Sequence, residues 1–358
     1  MSAKKGILIS NLGSPDEPTT ESVRKYLDQF LMDPYVIDLP YLLRALLIKG
    51  IVLRTRPAKS AAAYATIWTE KGSPLVVYTK ELTEKLQKIL GDQYSVKFAM
   101  RYGNPSFEGV FQEFEAEGIR EVDLLPLYPQ WALASNASTL AHIDDLKYRP
   151  RVKRILKSFY DNKDFIDLFA ARFQQVLSKI ENLSSLKTCY VFSYHGLPER
   201  HIHKAVQKTD KQNHCSSEKC VMSAECCRAP TASPYCYRSH CQRTTDAHIK
   251  KLDLKEEESF ICFQSRLGPD KWLQPPTDDL LKKLPSLGFE RCILFSSAFT
   301  ADCLETLEEL AERGMEDFKH AGGKDFHLVP SLNAEDDWAQ ALSRWVKDDS
   351  LFTTDYVY

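Results

Sequence analysis

Eight short apolar runs alternate with helical stretches along this chain, and that alternation restricts the fold more than any other feature. The runs are Lys5–Leu12, Val96–Arg101, Glu121–Leu127, Val152–Phe159, Cys189–Tyr194, Ser259–Gln264, Arg291–Ser297 and Phe326–Pro330. They lack a helical period and read as strands buried on both faces. The spacing predicts helices from about Thr20 and over Glu81–Leu90, Phe107–Glu117, Asp164–Ile180, Thr244–Leu252, Asp278–Leu284 and Asp302–Arg313, with a closing helix over Asp336–Lys347. Strand–helix alternation of this kind predicts a parallel sheet covered on both faces.

The pattern restarts at Cys189, and the halves echo each other. Phe98–Pro105 (FAMRYGNP) parallels Phe263–Pro269 (FQSRLGP): a strand end, an Arg, one residue, a Gly and a nearby Pro. Asn11-Leu12-Gly13-Ser14-Pro15 after the first strand loosely parallels His195-Gly196-Leu197-Pro198 after the fifth. Two similar α/β lobes follow, over residues 1–160 and 161–358, the second carrying a Cys-rich insertion (213–241) and the closing helix. In open parallel sheets ligands bind outside the carboxyl ends of the strands. The unusual clusters all fall at those ends, which predicts a cleft enclosed by facing lobes.

At 358 residues the chain is long enough for two substantial cores. A net charge of −2 does not point to nucleic acid. No uncharged apolar stretch is long enough to span a membrane, and the first residues, Met1–Ile7, do not resemble an export signal. A cytoplasmic protein is expected, and in a reducing compartment clustered cysteines are metal ligands or reactive thiols more often than disulfides. Residues Leu39–Leu53 are very apolar but interrupted by Arg44 and Lys49. Two readings stand for them: a core helix, or an apolar lip that takes a greasy substrate or rests peripherally on the inner membrane face. Arg54, Arg56 and Lys59 follow, and could meet anionic substrate groups.

Two groups carry chemistry. His195 stands at a strand end before Gly-Leu-Pro, and Asp302 and Glu305 stand three apart, sharing a face in the first turn of a helix. A helix cap accounts for Asp302. A histidine with a carboxylate makes a loose divalent-metal site or a base with a proton relay.

Together, Ser193–Pro198 (SYHGLP), Phe263–Leu273 (FQSRLGPDKWL) and Asp302–Glu309 (DCLETLEE) resemble the ferrochelatases; Ile9–Pro15, Arg101–Gly103 and Tyr128–Gln130 fit the same family in the same order. The resemblance covers nearly the whole chain. It implies the α/β type II chelatase fold, two Rossmann-like lobes each with a parallel β-sheet flanked by helices. It also implies insertion of Fe(II), as substrate, into protoporphyrin IX, the last step of haem synthesis. His195 matches the family's active-site histidine, Glu305 its glutamate, and Asp302 an acidic residue beside it. His195 is then either the base that takes a pyrrole proton or the ligand that delivers iron. Arg101 and Tyr102 match cleft residues near the porphyrin, and Ser14, Tyr128, Gln130, Gln264 and Ser265 join them as substrate contacts. Arg54, Arg56, Lys59 and Ser73 are candidates for the propionate end. Many members carry a second histidine where Cys303 stands, and bacterial members often have cysteine there. Coproporphyrin as substrate, another type II chelatase activity and a non-catalytic haem or iron sensor are the alternatives; the long apolar lip favours protoporphyrin.

Cysteines crowd the stretch after His195. Cys241 sits where cluster-free bacterial relatives often have a cysteine and is set aside. That leaves Cys215, Cys220, Cys226, Cys227 and Cys236, whose spacing fits neither a paired zinc ribbon nor a plant-type ferredoxin. The segment resembles that of bacterial ferrochelatases holding a [2Fe-2S] cluster on four internal cysteines. Cys215 and Cys236 frame the segment and are favoured; Cys220, Cys226 and Cys227 compete for the other places. Structural zinc and redox thiols are the alternatives.

Overall fold

The structure is a computed structural model and describes residues 4–147, 149–209, 222–266 and 268–355. Cys215 and Cys220 lie outside the described residues, as does Leu267.

All eight expected strands form: β1 (Lys5–Ser14), β2 (Tyr94–Gly103), β3 (Glu121–Pro126), β4 (Arg151–Leu156), β5 (Thr188–His195), β6 (Ser259–Gln264), β7 (Arg291–Phe295) and β8 (Asp325–Leu328). A short β9 (Phe352–Thr353) adds to them. One sheet has the order β2-β1-β3-β4-β9, the other β6-β5-β7-β8. Every pairing is parallel except β4 with β9. The first four strands of each half therefore repeat one topology, and the duplication read from FAMRYG and FQSRLG is a duplication of folding units.

Register makes the correspondence residue by residue. Ser14 at the end of β1 pairs Gly103 at the end of β2, and His195 at the end of β5 pairs Gln264 at the end of β6. Ser14 and His195 are thus topological counterparts. Gly13 shows why the first strand end is built as it is: its φ is +111°, and a Cβ there would sit 1.8 Å from the Tyr102 carbonyl oxygen, so only glycine fits.

Each sheet has its own core. Leu8, Ala99 and Leu124 of the first pack with Phe107, Val110, Phe111 and Phe114 from one helix. Val191, Cys262 and Leu294 of the second pack with Leu281, Leu310 and Phe318. The first helix, Thr20–Leu31, is capped by Thr19, whose hydroxyl accepts from the Ser22 amide.

The chain divides into one unit of residues 1–128, 133–157 and 333–358 and another of 129–132 and 158–332. Chain order places the closing helix in the second lobe; the structure places it in the first. Helix Asp336–Trp345 packs on helix Pro74–Leu90, and Lys85 pairs with Asp336 at 2.6 Å. Trp338, Ala339 and Leu342 are fully buried there. An apolar helix face must be covered, but its sequence does not say by which sheet.

Residues 39–53 are not a core helix. Tyr41–Leu47 is α-helical and Ile48–Val52 continues as a wider π-helical turn. The polarity is inverted relative to an ordinary surface helix. Leu42 is 79% exposed and Leu46 69%, with Tyr41, Leu43 and Ile51 also in solvent. Arg44 is buried instead, its guanidinium donating to the carbonyls of Ile37 and Leu39 at 3.1 and 2.9 Å. Ile48 and Leu53 anchor the segment from below.

Candidate active site

His195 is held by its own backbone. β5 ends on it, and the Gly196 amide donates to the Gln264 carbonyl at 2.7 Å, continuing the ladder one step past the strand. A Cβ on Gly196 would sit 2.6 Å from that oxygen, which explains the glycine. His195 Nδ1 lies 2.7 Å from the Gly196 carbonyl oxygen. A carbonyl only accepts, so Nδ1 carries a proton, and in the uncharged tautomer the lone pair is on Nε2. The His195 carbonyl in turn accepts from the Tyr237 hydroxyl at 2.9 Å.

The neighbouring strand end supplies Gln264 and Ser265. Gln264 is buried, accepts from the Ser193 hydroxyl at 2.8 Å and donates to the Glu305 carbonyl at 3.4 Å. Ser265 has φ +66°, uncommon for a residue with a side chain. That conformation aims both its amide and its hydroxyl at the Glu309 carboxylate. Glu309 was missed from sequence, where only Asp302 and Glu305 stood out.

The helix carrying these acids is not α-helical. Glu305–Gly314 is π-helical, and its wider turn brings residues four apart closer to alignment. Glu305 and Glu309 interact, and His195 acts on Glu309 as well. Burial pushes the Glu309 carboxyl above the usual carboxylate range, and the Glu305 charge adds to the effect. Asp302 precedes this helix rather than sharing its first turn with Glu305. Its Oδ1 accepts from the Thr306 hydroxyl at 3.0 Å and the Ser331 amide at 3.4 Å. Cys303 is buried beside Glu305, and burial pushes its thiol up.

In the other unit, Arg101 and Tyr102 converge on Asp33. Asp33 Oδ2 accepts from Arg101 at 2.5 Å, Tyr102 at 2.8 Å and Ser138 at 2.6 Å, while Oδ1 takes the Tyr35 amide. Arg101 Nε also donates to Ser138 Oγ at 2.7 Å. Its guanidinium lies 4.5 Å from the Tyr102 ring centroid. Tyr102 is only 2% exposed and burial pushes its phenol up, so it acts in the interior, behind Arg101. Asp33 escaped the sequence reading; its signal was a carboxylate directly after a helix and before Pro34.

The remaining expected contacts are mostly inside. Tyr128 is buried against the Thr139 hydroxyl, with its phenol pushed up to about 12 by burial. Gln130 is buried, donating to the Thr244 hydroxyl and the Ser297 carbonyl. Ser14 is 2% exposed and lines a cavity of about 90 Å³ with Asp16, Lys25, Gln29 and Asn104. Ser73 is buried at a helix start, whereas Arg54, Arg56 and Lys59 are exposed.

Three cysteines of the segment are described. Cys227 and Cys236 are buried side by side, while Cys226 is half-buried. A hydrogen bond from the Cys236 thiol, helped by the Arg238 guanidinium 2.8 Å from Cys227 Sγ, lowers the Cys227 thiol to about 6. Among the described residues no three or more His, Cys, Asp or Glu side chains group as a metal site. Cys241 is fully buried one helical turn further on.

The raised Glu309 gives a signed prediction. A carboxyl raised on folding keeps its proton in the native state after the unfolded chain has lost it. Stability then falls as pH climbs from the ordinary carboxylate range through the native value. Glu309→Gln removes that dependence. Its urea midpoint is expected to match the parent near pH 4 and to exceed it increasingly toward pH 7; a constant difference across that range would refute the assignment.

The ferrochelatase family model matches residues 4–350. The chain is 42% identical to the ferrochelatase of Ectopseudomonas mendocina over 347 residues, covering 94% of this chain and 95% of that one. It is 37% identical to a ferrochelatase of Coxiella burnetii, covering 96% and 93%. Among solved structures, SirB from Bacillus subtilis with Fe3+ matches with a TM-score of 0.50 at 11% identity, covering 97% of each chain; at that identity the likeness concerns the fold alone. Repeated parallel sheets, a strand-end histidine beside paired glutamates, and these matches agree: the chain belongs to the ferrochelatase family, with the α/β fold of the type II chelatases.

Proposed function

We propose that this protein inserts Fe(II) into protoporphyrin IX to form protohaem, the closing step of haem synthesis. One observation carries the reading: His195 is held as the tautomer with a free Nε2 beside the Glu305–Glu309 pair. Metal insertion must remove both pyrrole protons from the macrocycle. A neutral imidazole accepts a proton near neutral pH. The glutamate pair, one member of which is raised above the usual carboxylate range by burial, is proposed to pass protons onward. Asp302 continues the acidic series. Arg101, braced by Asp33 and Tyr102, is proposed as a porphyrin contact, and Ser14, Tyr128, Gln130, Gln264 and Ser265 as further substrate-binding residues.

His195→Ala is expected to lower anaerobic Fe(II) insertion by about 10²–10⁴-fold, the usual weight of a general base, while porphyrin still binds. Full activity in that variant would remove His195 from the mechanism. The same assay with coproporphyrin beside protoporphyrin tests the substrate, and faster turnover of coproporphyrin would overturn the choice.

The paired Cys227 and Cys236 thiols, with Arg238 favouring a thiolate, fit a soft-metal donor set. We propose them as two of the four ligands of a [2Fe-2S] cluster, the other two drawn from Cys215, Cys220 and Cys226. Bound there, the cluster would supply a redox-active group. Purified protein is expected to be reddish-brown, with visible absorption bleached by dithionite; colourless protein with stoichiometric zinc would reject the cluster.

Among the described residues no helix is long and apolar enough to cross a membrane. The outward leucines of 41–51, flanked by exposed Arg54, Arg56 and Lys59, are proposed to rest on an anionic membrane surface. The Leu42→Glu/Leu46→Glu double variant is expected to lose co-sedimentation with anionic phospholipid vesicles that the parent shows. Equal sedimentation of both would refute the surface.

A further inference from the structure

Three consecutive residues open the helix Tyr237–Leu252, and they reach two different places. Cys236 is its N-cap and lies beside Cys227. Arg238 donates to Cys227 Sγ at 2.8 Å and to the Ser223 carbonyl at 2.9 Å. Between them, Tyr237 turns the other way and donates to the His195 carbonyl at 2.9 Å. We propose that Tyr237 is a positioning residue for His195 and that it transmits the state of the cysteine segment to the chelation site.

The geometry gives the coupling a physical basis. The peptide joining His195 to Gly196 is bonded at both ends, its oxygen by Tyr237 and its amide hydrogen by the Gln264 carbonyl. The imidazole leans on the next carbonyl, that of Gly196, so tilting this peptide turns the ring. Of the bonds that fix the plane, the one to Gln264 is backbone within the sheet. The one from Tyr237 comes from outside it. Tyr237 itself is buried and shares a further hydrogen bond with the Cys241 thiol.

What holds Tyr237 is the cysteine segment. Cys236 makes no capping hydrogen bond through its side chain, so the first turn has no local cap. Its order comes from tertiary bonds: Arg238 to Cys227 and Ser223, Ser239 Oγ to the Cys227 carbonyl at 2.6 Å, and Arg243 to the Ala229 carbonyl at 3.1 Å. When the segment is held by whatever its thiols bind, the turn is formed and Tyr237 is in place. When the segment is released, the uncapped turn loosens first and His195 loses one of its two backbone restraints. The coupling rests on the reading of His195 as the chelation base, and its link to a cluster rests on the cysteine assignment.

The test is a double-mutant cycle on the full-length protein. Tyr237→Phe removes only the hydroxyl, and Arg238→Ala removes the bonds to Cys227 Sγ and the Ser223 carbonyl while leaving every cysteine in place. For each variant and the pair, kcat and KM for protoporphyrin are measured with Fe(II), along with porphyrin affinity and iron and sulfide content. Tyr237→Phe is expected to lower kcat about tenfold, the scale of one hydrogen bond, with KM, porphyrin affinity and iron content unchanged. Arg238→Ala is expected to lower kcat in the same direction, and the double variant to be no slower than the slower of the two single variants. A kcat within about twofold of the parent for Tyr237→Phe, or single effects that multiply in the double variant, would overturn the proposal. Should Arg238→Ala fail to fold, Ser239→Ala, which removes the bond to the Cys227 carbonyl, takes its place in the cycle. Parent protein lacking iron and sulfide would sink the cluster assignment alone, and loss of the His195→Ala effect would sink the base assignment alone; neither mimics an unchanged kcat in Tyr237→Phe.

Discussion

Parallel pairing makes every strand of a sheet finish on one edge, and that constraint organises each unit. In the first, register brings Ser14 against Gly103; in the second it brings His195 against Gln264. Backbone hydrogen bonding thus sets these strand-end residues beside each other. Close approach at those edges then selects the residue type, which is why Gly13 and Gly196 face carbonyl oxygens that no Cβ could clear.

The buried Asp33 and the half-buried Glu309 illustrate opposite solutions to the cost of a desolvated charge. Asp33 collects Arg101, Tyr102 and Ser138 on a single oxygen and a backbone amide on the other, so the charge is paired and its lone pairs are used. That arrangement stiffens Arg101. Glu309 has Ser265 but also Glu305 for a neighbour, and burial with that like charge pushes its carboxyl up. One network fixes a cation in place; the other shifts a carboxyl upward beside Glu305.

Helix Tyr237–Leu252 joins the remaining parts. Its first turn meets the cysteine pair and the His195 peptide, and its interior carries buried neutral histidines. Burial lowers His240 and His248 to about 3, and His240 accepts the Trp131 amide while stacked 3.8 Å from the Tyr160 ring. A helix so tightly held along its length but uncapped at its start is stiff in the body and responsive at one end.

Much of this was legible in the chain. Strand positions follow from short apolar runs, and His195, Asp302 and Glu305 from their place at strand ends. These are local patterns, readable because a strand or helix answers to its own neighbours in sequence. The same logic exposed the duplication. Asp33, Glu309 and Tyr237 were not legible, nor was the Arg44 inversion that turns Leu42 and Leu46 outward. Each depends on a partner far away in the chain: Asp33 on Arg101, Glu309 on Ser265, Tyr237 on His195. The closing helix shows the same limit, since its apolar face specified burial but not the sheet that would cover it. The sequence by itself determined the elements and the strand end that carries the histidine. Tertiary structure decided which carboxyl is pushed upward, which residue bonds the His195 carbonyl and which apolar face stays in solvent, because burial and hydrogen-bond partnership are set by the residues that meet only when the chain has folded.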